Sequence, residues 1–97
     1  MEKQIDFETG IAVLDFFAEW CVPCRLQGPE FLEAEAELKN QAAFYQIDVD
    51  EEPELAVKFE VMSIPTIVIV KNGEACWRST GVTDKEEIVE AVRERLA

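Results

Sequence analysis

The sequence predicts an α/β domain in which a central mixed β-sheet is flanked by helices on both faces. Three observations carry that expectation. The runs Ile11–Phe17 and Ile67–Val70 are almost continuously apolar and rich in β-branched and aromatic residues, the composition of strands covered on both sides. Stretches with helical spacing or helical start signals lie between the strand-like runs, as parallel connections require. An Asn-Gly pair at 72–73 marks a hairpin, so part of the sheet is antiparallel.

Composition sets the outer bounds. The chain of 97 residues is long enough for one core and too short for two, so residues 1–97 are expected to form one domain. Nine basic residues against twenty-one acidic ones give a net charge of −12, which argues against nucleic acid and anionic membrane as partners. A solvated acidic surface accounts for that charge more simply than docking to basic proteins. No apolar run has the length of a membrane span. The start, Met-Glu-Lys-Gln-Ile-Asp, has no apolar core of a secretory leader. With an odd count of three cysteines, this points to a reducing, cytoplasmic setting where a cysteine pair is catalytic rather than structural.

In chain order, Lys3 to Phe7 reads as a short strand and Thr9-Gly10 as a turn. Ile11 to Phe17 is the first core strand. From Pro23 to Asn40 the pattern is helical, with Leu26, Gly28, Phe31, Leu32, Glu35 and Leu38 near one face and Glu30, Glu33 and Glu37 toward water. Pro29 inside this helix predicts a kink rather than a break. Ala43 to Val49 reads as a second buried strand. Asp50-Glu51-Glu52-Pro53 opens a short helix that ends near Glu60 and buries Leu55 and Phe59. Met62 to Thr66 leads into the strand Ile67–Val70, and Ala75 to Thr80 returns beside it, ending at Gly81. Thr83-Asp84-Lys85-Glu86 reads as a capping box for a last helix with Ile88, Val89, Val92 and Leu96 on one face.

The chemistry concentrates at Trp20-Cys21-Val22-Pro23-Cys24-Arg25. Two cysteines at this spacing can close a disulfide across the first turn of a helix, with Cys21 as N-cap and Pro23 where a missing N–H has no consequence. The free amides of that turn and the helix dipole favour a thiolate on Cys21. A stabilisation of roughly 1–2 kcal/mol lowers a thiol by about one pKa unit from about 8.5, into the reactive range. Cys21 is therefore expected to be partly exposed and to attack. Cys24 is expected to lie largely buried behind it and to resolve the mixed disulfide. Zinc would need four ligands, and the chain has no histidine and only Cys76 besides this pair.

Asp15 interrupts the first apolar strand. A carboxylate there is either a strand-end cap or ion pair, or a buried functional acid. Its place on the strand that delivers the cysteines favours the second. Spacing alone leaves Trp20 open between core packing and a site rim, and Pro65 open between an ordinary trans proline and a cis one.

Together these residues resemble the thioredoxin family. Trp20-Cys21-Val22-Pro23-Cys24 is similar to its Trp-Cys-Gly-Pro-Cys site. Asp15-Phe16, Pro29, Asp48-Val49-Asp50-Glu51-Glu52-Pro53, Ile64-Pro65-Thr66, Lys71-Asn72-Gly73-Glu74 and Gly81 look like further landmarks in the same order, over roughly residues 11 to 97. The resemblance implies the thioredoxin fold, attack by Cys21, resolution by Cys24 and a buried proton acceptor in Asp15. It also implies a cis Pro65 and substrate pairing through the backbone of Ile64. Trp20, Val22, Pro23, Ile64 and Gly81 would form an apolar docking rim. The implied partners are disulfide-containing proteins and a thioredoxin reductase, dependent on NADPH or ferredoxin. No bound cofactor is expected for the exchange step, and the chain is expected to be a monomer.

Several positions depart from the family pattern. Val22 stands in place of the usual glycine, Phe17 where many members carry tryptophan, and Gln46 where many carry a lysine near the buried aspartate. Ten residues precede the first core strand, so the first helix of the family is expected to be absent or reduced to a turn. Cys76 is additional and reads as a small buried residue of the hairpin. The expected function is reduction of protein disulfides. A disulfide oxidase or isomerase on the same fold is one rival. Val22 counts against it, because it cannot stabilise a thiolate as a histidine between the cysteines does. A redox-inert binding module is the other, and it would have no need of Cys21, Cys24, Asp15 and Pro65 together.

Overall fold

The computed structural model describes residues 5–96. The elements run β1 (Ile11–Phe17), α1 (Val22–Glu37), β2 (Ala43–Asp48), α2 (Pro53–Lys58), β3 (Thr66–Lys71), β4 (Glu74–Thr80) and α3 (Lys85–Leu96). The sheet order is β2-β1-β3-β4, with β1 parallel to β2 and antiparallel to β3, and β3 antiparallel to β4. It is thus a mixed sheet, as expected.

Alternation along β1 divides the core. Ile11 and Val13 join Phe31 and Ala34 of α1, its C-cap Leu38, and Ile88, Val89 and Val92 of α3 on one face. Ala12, Leu14 and Phe16 meet Phe59 and Leu55, in and just after α2, on the other. Both faces are covered, which is why β1 and β3 tolerate near-continuous apolar sequence. Asp15 follows Ile11 and Val13 on the alternation, and so lies on the face that α1 covers.

Several local expectations need correction. The expected strand Lys3–Phe7 lies partly outside the described residues, and Ile5–Phe7 form none. Phe7 instead packs edge-on against Phe59, ring centroids 5.3 Å apart, with the Lys58 ammonium 5.6 Å from its centroid. Ala43–Asp48 is an edge strand and mostly only partly buried, with Ile47 buried and Gln46 exposed. The buried stripe of α1 is Cys24, Gln27, Phe31 and Ala34, continued by the C-cap Leu38, whereas Leu26 and Leu32 are exposed. A helix whose first turn is fixed by the cysteines buries positions at three- and four-residue steps beyond Cys24, and those steps pass over Leu26 and Leu32. α1 continues through Pro29 unbroken.

The cap of α3 is shifted by one residue. Asp84 Oδ1 accepts from the N–H of Glu87 at 2.9 Å, while Thr83 is buried and bonded elsewhere. α3 buries Ala91 rather than Leu96, which lies exposed in its last turn. The β3–β4 hairpin is as expected: Asn72 and Gly73 both have positive φ, 50° and 88°, the pair a type I′ turn needs. Gly10 and Asn72 then exchange bonds, Gly10 N–H to Asn72 Oδ1 and Asn72 N–H to Gly10 C=O, both 2.9 Å.

Cys76 is exposed, not buried. The register steps from Ile69↔Trp77 to Val70↔Ala75, leaving Cys76 as the extra residue of a bulge on an edge strand. A bulge residue has no partner to cover it, and alternation does not place its side chain.

Candidate active site

The strand β1 ends at Phe17, and Ala18 to Trp20 turn the chain into α1. Cys21 has extended backbone, φ −90° and ψ 110°, and is the N-cap of α1, with Pro23 in the first turn. Its Sγ accepts the N–H of Cys24 at 3.2 Å. The N-cap role and the helix-terminus environment of Cys21 are therefore as expected. The two sulfurs are bonded to each other, with the Cα atoms 5.3 Å apart.

The exposure expected of Cys21 is not found. Cys21 is 5% and Cys24 7% exposed, so the two are equally covered. They form a small apolar cluster with Ala18, against which Phe17, Val49 and Ile64 pack. Each sulfur faces the other in the oxidised pair, and these neighbours close over both.

Asp15 is 1% exposed, and its Oδ1 has no hydrogen-bond partner. It is no strand-end cap, and among the described residues it makes no ion pair. Burial pushes its pKa from 3.8 to about 6, and the side chain of Gln46 partly offsets that rise. Gln46 is the register partner of Asp15 on β2. A carboxyl that titrates at about 6 is ionised near neutral pH yet basic enough to take up a proton there.

The remaining sites surround the pair. Trp20 is 67% exposed, so it is not core, and its Nε1–H donates to Asp50 Oδ2 at 2.9 Å. Val22 and Pro23 are exposed at the start of α1. The Ile64–Pro65 peptide is cis, with Ile64 half-buried and Pro65 buried. Gly81 has φ +92°, a conformation suited to glycine, and donates its N–H to the C=O of Pro65 at 2.9 Å. Trp20, Val49, Val61, Met62, Ser63 and Ile64 line an open groove of about 380 Å³. Met62, 93% exposed, carries no pattern of its own in the sequence, and Asp50 reads there as part of a helix start rather than as a site residue. Among the described residues, no three carboxylate or thiol side chains gather in a way that could hold a metal ion.

A cysteine pair bonded across a helix N-terminus, with a buried acid on the preceding strand and an apolar groove beside it, defines a thiol–disulfide oxidoreductase. Residues 1–94 match the family model described as Thioredoxin. The chain is 37% identical over 91 residues to the thioredoxin of Staphylococcus saprophyticus, covering 94% of this chain and 88% of that one. It is 38% identical over 89 residues to the thioredoxin of Staphylococcus aureus, with 92% and 86% covered. Among solved structures, a thioredoxin of Malassezia sympodialis superposes with a TM-score of 0.83 at 31% identity, over 94% of this chain and 81% of the other. The chain belongs to the thioredoxin family, and its Cys21–Cys24 pair is the redox centre of a thioredoxin-type disulfide reductase.

Proposed function

We propose that this one-domain chain (residues 1–97) reduces protein disulfides in the cytoplasm, with Cys21 attacking and Cys24 resolving. The Cys21 thiolate attacks one sulfur of the substrate disulfide, forming the Cys21–substrate bond and releasing the other substrate sulfur as a thiolate. Cys24 gives its proton to the Asp15 carboxylate and attacks the Cys21 sulfur. The Cys21–Cys24 bond forms and the second substrate thiolate leaves, so two electrons pass from the dithiol to the substrate. A thioredoxin reductase, drawing on NADPH or ferredoxin, returns two electrons to the pair. The substrate chain lies along Ile64 in extended form, bounded by Trp20, Val22, Pro23, Pro65 and Gly81.

The observation that carries this reading is the N–H of Cys24 directed at Cys21 Sγ across the first turn of a helix. In the reduced protein that donor and the turn around it favour negative charge on Cys21 rather than on Cys24. Alkylation of the reduced protein with iodoacetamide, followed by peptide mapping, tests it. Cys21 should be modified first, with an apparent pKa below the ordinary thiol range. Equal rates at Cys21 and Cys24 would remove the assigned order.

A further inference from the structure

Gln27 lies one turn beyond Cys24 on the buried stripe of α1 and is 0% exposed. A fully buried amide requires partners for both of its ends. Gln27 finds both on one residue of another segment: its Nε2–H donates to the C=O of Thr83 at 2.8 Å, and its Oε1 accepts the N–H of Thr83 at 2.7 Å. Glu30, one further turn along, accepts the N–H of Lys85 on Oε1 at 2.7 Å. Three hydrogen bonds therefore strap the β4–α3 connection to the helix that carries the cysteines.

The connection so held is the one that contains Gly81 and the exposed Val82. Thr83 Oγ1 donates to the C=O of Gly81 at 3.3 Å and shares a 2.7 Å bond with Ser79 Oγ. Gly81 in turn donates to Pro65. A continuous path of hydrogen bonds runs from α1 through Gln27, Thr83 and Gly81 to Pro65. Apolar side chains at 27 and 83 would fill the same space, but they would not fix how far the connection slides along α1. Two antiparallel bonds to the N–H and C=O of one residue do fix it, as a ladder bond fixes strand register.

We infer that Gln27 is a positioning residue for protein substrates: it holds the Gly81–Val82 edge of the docking rim in register with the dithiol. This rests on the reductase reading and adds what sets the geometry of its rim. An extended chain that must meet both Ile64 and Gly81 depends on that register. A small disulfide that meets only the sulfurs does not.

The test uses Gln27→Met, which keeps length and loses both bonds, and Glu30→Ala, which loses only the bond to Lys85 and leaves the core intact. Both are assayed well below their unfolding temperatures, on insulin and on a small aromatic disulfide. The expected result for Gln27→Met is about a tenfold rise in KM for insulin with kcat little changed. The ratio of insulin to small-disulfide efficiency should fall by the same factor, and the Cys21–Cys24 reduction potential should stay at the wild-type value. Glu30→Ala should move the same ratio in the same direction by a smaller factor. Amide hydrogen exchange supplies a readout independent of activity: Gly81 and Thr83 should lose protection in Gln27→Met while β1 and β3 keep theirs. An unchanged insulin KM, or an equal loss on both disulfides, overturns the inference. If wild-type protein failed to accelerate insulin reduction, the reductase reading would fall, and retained protection at Gly81 and Thr83 would then decide against the strap separately.

Discussion

Asp15 and Gln27 are both polar, both essentially inaccessible and both on the face between the sheet and α1, yet their surroundings treat them in opposite ways. Every hydrogen-bonding end of the Gln27 amide that the strap needs is paired with Thr83, at 2.7 and 2.8 Å. Asp15 is left with an unpartnered Oδ1 and a pKa raised to about 6. A buried polar group that is satisfied fixes geometry, and one that is not is poised to change its protonation state. The first region behaves as structure and the second as chemistry, although sequence hydropathy would describe both as a polar interruption of an apolar stretch.

The largest effect expected comes from removing the thiol that Asp15 is proposed to serve. Cys24→Ser should reduce turnover to background and accumulate a mixed disulfide through Cys21, visible by mass spectrometry. Asp15→Asn alone should slow resolution about 100-fold, the lower end of what a proton acceptor contributes. Added to Cys24→Ser, the same change should leave the rate of the first attack unaltered. A further loss in the double variant would show that Asp15 acts on Cys21, and the contrast between a chemical and a structural polar group would need another basis.

Stability should then separate the two residues by sign. In the unfolded chain Asp15 titrates at 3.8 and in the folded one near 6, so the native state holds the proton more tightly between those values. Stability attached to the neutral acid is fully present below about pH 4 and lost as pH rises to about 6, leaving a deficit of about 3 kcal/mol at pH 7. Asp15→Asn removes the charge and should stabilise at pH 7 by about 2 kcal/mol, with the difference closing near pH 4. Gln27→Met instead strands the N–H and C=O of Thr83 and should destabilise by about 2–4 kcal/mol at both pH values. Chemical denaturation of the two variants at pH 4 and pH 7 checks all four values. A stabilised Gln27→Met, or an Asp15→Asn indifferent to pH, would break the comparison.

The same distinction governs how far each region was legible. Asp15 could be found in the sequence because a carboxylate inside Ile-Ala-Val-Leu-Asp-Phe-Phe contradicts its neighbours. The cysteine pair and the hairpin turn were legible because a fixed local spacing or residue type requires each of them, whereas the cis form of Pro65 followed only from the family resemblance, since an X-Pro bond takes either isomer. Gln27 was not. Glutamine is ordinary on a helix surface, and the true stripe emerges only when α1 is phased from Cys24 rather than from its leucines. Leu26 and Leu32 drew the phase to the wrong side, since leucine is a good helix former wherever it sits. The one-residue shift of the α3 cap has the same origin, because Thr83 is drawn into the strap and Asp84 takes its place. The bulge that exposes Cys76 depends on the partner strand and leaves no mark in β4 itself.

Cys76 supplies the smallest effect and the control for the contrast. It is polar enough to donate, and its Sγ lies 3.5 Å from the C=O of Ile69, but it is exposed on an edge strand. A thiol is a weak donor, and water can replace it at an exposed carbonyl without leaving an unpaired group. Cys76→Ser should therefore shift stability by no more than about 0.5 kcal/mol. It should also leave insulin reduction within assay error, since the bulge lies outside the groove and the strap. The measurement is denaturant midpoint and insulin turnover on the reduced variant and wild type in parallel. If Cys76→Ser instead moved stability by as much as Gln27→Met, burial would not be what divides these polar groups, and the bulge would have to be counted as part of the core.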